Sequence, residues 1–127
     1  MDRKERLAGC YEKAGDFQTA IQLRKDILEV YRDTIGPSDK KYLDAKERLA
    51  GCHEKAGDFQ TSIQLLKEIL KVYLDTRGPT DENFLCAKEE LARCYERATD
   101  FETSIQLRKE ILKEYIDTRG PLSLIHI

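Results

Sequence analysis

The feature that most constrains this chain is a stretch that occurs three times along its 127 residues, with a period of 42 residues. Cys10, Cys52 and Cys94 mark the same position in each copy. The repeated stretches read LAGCYEKAGDFQTAIQLRKDIL, LAGCHEKAGDFQTSIQLLKEIL and LARCYERATDFETSIQLRKEIL. A fixed period of this size predicts a solenoid, in which each repeat buries its apolar face against its neighbours.

Each repeat predicts two helices, because small and apolar residues recur at the three-and-four spacing of one helical face. In the second repeat these residues are Tyr42, Ala45, Leu49, Ala50, His53 and Ala56 in the first helix, and Phe59, Ser62, Ile63, Leu66, Ile69, Leu70 and Tyr73 in the second. A turn of only Gly-Asp separates the two stripes, and such a short connection forces paired helices to pack antiparallel.

Turn and cap residues mark the ends of these helices. We expect Ser38 to be the N-cap of the first helix, Gly57 to end it in the left-handed conformation, and Asp58 to cap the next helix. Gly78 and Pro79 then end the second helix, because proline cannot continue it. All three prolines, Pro37, Pro79 and Pro121, follow a glycine at this position, which indicates three helix-turn-helix units.

The third repeat departs from this pattern at its turn. Gly15 and Gly57 are replaced there by Thr99, a β-branched residue that disfavours a positive φ. We therefore expect the turn at 98–100 to be looser or built differently.

Composition argues against two classes of partner. Net charge is −2 and both signs are interspersed, so no basic face is evident that would hold a nucleic-acid backbone. No apolar run approaches the length of a membrane span. Three of the four cysteines share one repeat position, one repeat apart, and we interpret them as reduced thiols of an intracellular, cytoplasmic protein.

The candidate catalytic and metal-binding motifs fail on spacing. His53-Glu54 resembles a zinc-protease helix, but Gly57 stands where the second histidine would be. Cys86 and Cys94 lie about 12 Å apart along one helix, too far for one metal ion or a disulfide. We therefore predict no catalytic residue, cofactor or metal site, with His53 and the repeated cysteines as packing residues.

The pattern L-A-x-C-Y-E-K-A-G-D-F-x-x-A-I resembles the tetratricopeptide repeat. Its signature positions correspond to Leu7, Ala8, Tyr11, Gly15, Phe17 and Ala20. The usual unit has about 34 residues, and here the additional residues fall in the second helix. This long form is similar to the repeats of kinesin light chains and nephrocystin-like proteins, although the linkers IGPSD and RGPTD lack their His-Pro.

The resemblance implies an all-α fold, an α-solenoid of three antiparallel helix-turn-helix units in a right-handed superhelix. The repeat domain would span 1–121, with units at about 1–36, 37–78 and 79–121. It also implies a non-catalytic protein–protein interaction module that binds a peptide or a partner helix in a concave groove. The alternative is a regulatory or sensor segment of a larger enzyme or signalling NTPase. RNA binding is a third hypothesis, which the acidic balance disfavours.

By position, the first helices would line this groove. The expected lining is Glu5, Gly9, Glu12, Lys13, Glu47, Gly51, Glu54, Lys55, Glu89, Arg93, Glu96 and Arg97. Gly9 and Gly51 each weaken a helix by about 1 kcal/mol relative to alanine, which suggests that something occupies the space where a side chain would lie. Close approach of a peptide to the backbone and tight packing against the next helix explain them equally well.

The chain ends in a segment that breaks the pattern. Residues 122–127 read LSLIHI where polar linker residues are expected, and they resemble a translated sequencing adapter. We expect a non-native tail on a fragment of a longer repeat protein; a native apolar tail that packs on the last helix is the alternative. Uncapped repeat ends also predict exposed apolar surface around Phe101 to Ile116, and self-association.

Overall fold

The computed structural model describes residues 2–120, which form six α-helices and no strand. The helices are α1 (Asp2–Lys13), α2 (Phe17–Thr34), α3 (Lys40–Lys55), α4 (Phe59–Arg77), α5 (Glu82–Arg97) and α6 (Phe101–Arg119). The predicted all-α class is confirmed. The second helix of each repeat has 18 or 19 residues, so the additional length lies where the sequence predicted it. The proposed tail at 122–127 lies outside the described residues.

The chain divides into two compact units at a point within α4. The N-terminal unit is Met1–Leu65, in which α2 packs against both α1 and α3. The C-terminal unit is Leu66–Ile127, in which α5 packs against α6. Buried side chains include Ala8, Ala20, Ile27, Leu43 and Leu49 in the former, and Ile69, Tyr73, Leu85, Leu91 and Ile111 in the latter. The repeat boundaries inferred from the period stay a prediction.

The apolar stripe of α3 is wider than its period indicates. Most of the predicted stripe is buried, but Ala56, which caps the helix end, is exposed. Leu43 and Glu54 are buried as well, although they lie outside the predicted stripe, and so is Cys52, which was predicted to be a packing residue. Because α3 contacts both α1 and α2, it buries more than one face.

The turn between paired helices follows one hydrogen-bond pattern. In the first repeat, the N–H of Gly15 donates to the carbonyl of Glu12, and the N–H of Asp16 donates to the carbonyl of Tyr11. Gly15 has a φ of 83°. This is the Schellman arrangement, in which a left-handed residue lets two terminal carbonyls find donors.

Thr99 adopts the same turn, so the prediction of a differently built turn is wrong. Its φ is 66°, its N–H donates to the carbonyl of Glu96, and the N–H of Asp100 donates to that of Tyr95. The Thr99 hydroxyl also donates to the Ala98 carbonyl, at 2.6 Å. The helix-end hydrogen bonds therefore outweigh the steric cost of a β-branched side chain at this position.

The N-cap of α3 lies one residue later than predicted. Asp39, not Ser38, caps the helix, and its carboxylate accepts from the N–H of Lys41. Asp81 holds the same position before α5. A carboxylate is favoured there over a hydroxyl, because its charge also interacts with the positive end of the helix dipole. The predicted cap at Asp58 is confirmed, since its carboxylate accepts from the N–H of Thr61.

Candidate functional site

The predicted groove residues lie on α1, α3 and α5, four to each helix. Glu5, Gly9, Glu12, Glu47 and Gly51 are half-buried, Glu54 is buried, and Lys13, Lys55, Glu89, Arg93, Glu96 and Arg97 are exposed. Within the N-terminal unit, two ion pairs hold the α1 and α3 residues together. Lys55 Nζ lies 3.1 Å from Glu12 Oε2, and Arg48 Nη1 lies 3.1 Å from Glu5 Oε1.

Glu12 is the centre of a charge cluster that joins three helices. Arg24 on α2 donates to Glu12 Oε1 at 2.8 Å, and both side chains are only 10% exposed. The Cys52 thiol on α3 also hydrogen-bonds to this carboxylate. Burial by itself raises the pKa of Glu12, but the hydrogen bonds from Arg24 and Lys55 outweigh it and the pKa lies below its ordinary value. Glu12 thus stays ionised and ties α1 to α2 and α3.

Sequence reasoning missed Arg24, although a signal was present. Arg24 and Arg108 each stand one period from Leu66 and interrupt an otherwise apolar stripe. In the C-terminal unit, Arg108 lies 3.4 Å from Glu89 and 3.2 Å from Glu96. A charged residue at a repeated core position therefore indicates a repeated carboxylate partner.

The four cysteines are all free thiols. Cys52 and Cys94 are buried, which confirms their role as packing residues, whereas Cys10 is exposed and that prediction is wrong. Burial, together with the hydrogen bond to Glu12, raises the pKa of Cys52 to about 11, which makes it a poor nucleophile. Cys52 on α3 is covered by the neighbouring helix α1. No described helix covers Cys10 on α1 in the same way.

The helical glycines face open space. A Cβ atom added at Gly9 or Gly51 meets no heavy atom within 4 Å. Tight packing against the next helix therefore does not explain them, and that alternative is wrong. Space for an approaching ligand remains, on the helical face that also carries Glu5 and Glu12.

A pocket of about 250 Å³ lies beside this face and is lined by Glu5, Arg6, Arg24 and Arg48. Sequence reasoning did not include its three arginines. Glu5 pairs with Arg48 and Glu12 with Arg24, whereas Arg6 has no ion-pair partner among the side chains of residues 3–120. The pocket consequently keeps a positive charge in a chain whose net charge is negative.

His53 is a buried packing residue, as predicted. Its Nδ1 lies 3.4 Å from the Asp58 carboxylate, and burial lowers its pKa although Asp58 opposes this effect. Over the described part of the chain, no three His, Cys, Asp or Glu side chains come together as a metal site. None of the described helices is both long enough and apolar enough to cross a membrane.

A family model, the tetratricopeptide repeat (TPR), matches residues 3–75, more than half of the chain. The chain belongs to the tetratricopeptide repeat family. TPR chains are in general protein-interaction scaffolds. A search of curated proteins finds no match.

Solved structures resemble this TPR chain in fold. One is the crystal structure of a Podosopora anserina protein described as a kinesin light chain with nearly identical TPR-like repeats. It has a TM-score of 0.78 and 20% identity over 92% of this chain and 56% of that one. BtubC (BKLC) from P. vanneervenii has a TM-score of 0.74 and 19% identity, over 94% of this chain and 47% of that one. The chain thus spans about half the length of the structures it matches, and the predicted helical-repeat fold is confirmed.

Proposed function

We propose that this TPR chain is a non-catalytic interaction module that binds a peptide or a partner helix along the α1–α3 face. The observation that carries the proposal is the open space above Gly9 and Gly51. Two glycines at equivalent positions lower helix stability without a packing reason, and close approach of a ligand backbone supplies one. Arg93 holds this position on α5, so the C-terminal unit offers a charged side chain in the same place.

The charges beside the glycines indicate the kind of ligand. Glu5 and Glu12 are engaged by Arg48 and by Arg24 with Lys55, which leaves Arg6 to attract an acidic group. Glu47 and Lys13 add one charge of each sign along the helices. A peptide of mixed charge, with an acidic group directed to the arginine pocket, fits this arrangement.

Peptide selection with glycine variants tests the proposal. Random peptides displayed on phage are selected for binding to the wild-type chain. The selected peptides are labelled with fluorescein and their affinities are measured by fluorescence anisotropy. Gly9→Arg and Gly51→Arg fill the open space, so each should weaken binding by about tenfold, or about 1.4 kcal/mol. Because no neighbour lies within 4 Å and glycine weakens a helix by about 1 kcal/mol, both variants should melt at or slightly above the wild-type temperature.

The matched control is Gln18→Arg, which adds the same charge to an exposed position of α2. It should leave the affinity unchanged. Selection that retains no peptide, or winners that bind Gly51→Arg as tightly as wild type, would overturn the proposed groove.

The finer alternatives stay predictions. A regulatory segment of a larger enzyme would carry the same repeat fold, and the family and fold matches alone do not separate it from a free-standing module. The free thiols suit the reducing cytoplasm, where we expect the chain to act.

A further inference from the structure

The α6 helix exposes apolar side chains whose equivalents on α2 are half-buried. Phe101 is 57% exposed and Ile105 is 53% exposed. Their equivalents, Phe17 and Ile21, are half-buried on α2, which packs against α3. A cavity of about 440 Å³ lies beside Phe101 and Ile105. This confirms the apolar surface predicted on the last helix, although Ile111 is buried.

The α1 helix has the complementary exposure. Leu7 is 47% exposed, whereas its equivalent on α3, Leu49, is 3% exposed. Cys10 is exposed and its equivalent Cys52 is fully buried. The α1 helix thus exposes side chains whose equivalents are buried on α3. The α6 helix exposes apolar side chains whose equivalents lie on α2, the helix against which α3 packs.

Two ion pairs accompany the packing of α3 against α1. Arg48 of α3 pairs with Glu5 of α1, and Lys55 of α3 pairs with Glu12 of α1, both at 3.1 Å. One period before the two α3 cations, α1 carries an arginine and a lysine, and two periods after the two α1 glutamates, α5 carries two glutamates.

These equivalent residues are Arg6 and Lys13 on α1, and Glu89 and Glu96 on α5. Neither Arg6 nor Lys13 has an ion-pair or hydrogen-bond partner over the described residues. Glu12 binds two cations, but Glu96 has only Arg108 within the described part of the chain. The second cation that Glu96 lacks is thus present on α1 as Lys13, and Glu89, which shares Arg108 with Glu96, is the carboxylate at the position that Arg6 would meet.

We propose that the chain self-associates head to tail, with α1 of one copy docking on the α5–α6 face of a second copy. Arg6 then pairs with Glu89, and Lys13 with Glu96, in the manner of the α3–α1 ion pairs. Leu7 and Cys10 become covered, as Leu49 and Cys52 already are. The contact uses two different faces, so a pair of copies keeps one free face of each kind and can add further copies.

Sedimentation velocity of the full chain, from low-micromolar to submillimolar concentration, tests this contact. The sedimentation coefficient should rise with concentration in the wild type. Leu7→Glu and Ile105→Glu each place a charge in the apolar contact, and each should leave the chain monomeric throughout. Val30→Glu is the control: Val30 is an apolar residue of comparable exposure, and its equivalent in the third repeat is Glu114. It should associate as the wild type does.

Charge reversal distinguishes a specific contact from nonspecific hydrophobic association. Arg6→Glu and Glu89→Arg should each weaken self-association by about tenfold, because like charges then oppose one another. An equal mixture of the two variants should recover wild-type association, since every α1 face then finds an oppositely charged α5–α6 face. The double variant Arg6→Glu/Glu89→Arg should associate by itself for the same reason.

Three results would overturn the proposal: a wild-type chain that stays monomeric, a mixture that associates no better than its components, or a Val30→Glu chain that loses association. Removal of residues 121–127 adds one further arm. If only the shortened chain associated, the α6 face of the full chain would be covered by its own tail rather than by a second copy.

Discussion

The two compact units contain the same ion pair in different surroundings. Glu12 and Arg24 lie 2.8 Å apart and are both 10% exposed. Glu96 and Arg108, at the equivalent positions, lie 3.2 Å apart and are 50% and 42% exposed. The first pair gains Lys55 from α3, and no described helix provides an equivalent cation to the second. Identical residues therefore form a largely buried ion pair in one unit and a surface ion pair in the other.

This comparison shows what a repeat sequence does and does not encode. The sequence of one repeat specifies its partners, since both arginines meet their glutamates. Burial depends instead on the first helix of the following repeat. Removing one partner of an ion pair costs more when the pair is buried, because the remaining charge is left unpaired away from water, so the same change is expected to cost more in the first unit.

Neutralising each glutamate should give the largest effect. Glu12→Gln leaves Arg24 and Lys55 without their carboxylate, and the free energy of unfolding should fall by about 3 kcal/mol. Glu96→Gln removes a surface partner and should cost less than about 1 kcal/mol. Urea unfolding of both variants measures the difference. Equal losses would show that α3 does not change the energy of the pair.

Exchanging residues at the turns should give the next effect. Gly57→Thr introduces a β-branched side chain at a φ of 86° and should destabilise the chain by about 1–2 kcal/mol. The reverse change, Thr99→Gly, relieves the same strain and should stabilise it by up to about 1 kcal/mol, because glycine also loses more entropy on folding. Thermal melts of both variants provide the test. A loss of stability in Thr99→Gly would mean that its hydroxyl contact outweighs the strain.

The second-helix position held by Ala20, Ser62 and Ser104 offers a smaller test. The buried Ser62 hydroxyl has no hydrogen-bond partner among residues 3–120, whereas Ser104 lines a cavity. Ser62→Ala should therefore stabilise the chain by about 1 kcal/mol, since it removes an unsatisfied polar group. Ser104→Ala should change the free energy of unfolding by less than half as much. A loss of stability in Ser62→Ala would indicate a buried partner, such as water.

The pH dependence of stability should give the smallest effect. Because burial lowers the pKa of His53, the unfolded chain takes up its proton at a higher pH than the folded chain. Unfolding free energy should thus fall as pH drops from about 6.5, the ordinary histidine value. The depressed pKa of Glu12 acts later, since its stabilisation is lost only as the pH falls through that lower value.

His53→Tyr, which installs the residue found as Tyr11 and Tyr95, should flatten the fall that begins near pH 6.5. Urea unfolding of wild type and variant at a series of pH values measures this slope. An unchanged slope would assign the titration to another group.

The period of the sequence predicted the elements well and their surroundings less well. Helices, the left-handed Gly57 and the Asp58 cap depend on local chemistry, which repeats with the sequence. Thr99 was missed because hydrogen bonds at the helix end outweighed its intrinsic preference. Cys10 was missed because its exposure depends on a neighbouring helix, which its own residue type does not report.

The family resemblance predicted where the candidate groove would lie but not its chemistry, and the groove itself stays a prediction. Glu5, Gly9 and Glu12 stand four and three residues apart on α1, which places them on one helical face. That spacing could not show that Glu12 is already engaged, because its partners Arg24 and Lys55 come from two other helices. Contacts between helices depend on packing distances, which residue spacing within one helix does not contain.

Hydrogen exchange at two equivalent amides tests most directly whether a following first helix stabilises the repeat it covers. Ile27 on α2 and Ile111 on α6 are both buried, and each is preceded by an acidic residue and followed by leucine. At a dilution where the chain is monomeric, the Ile27 amide should exchange at least about tenfold more slowly, since local opening of α2 must also break contacts with α3. Exchange at Ile111 that is as slow as at Ile27, or slower, would contradict the account.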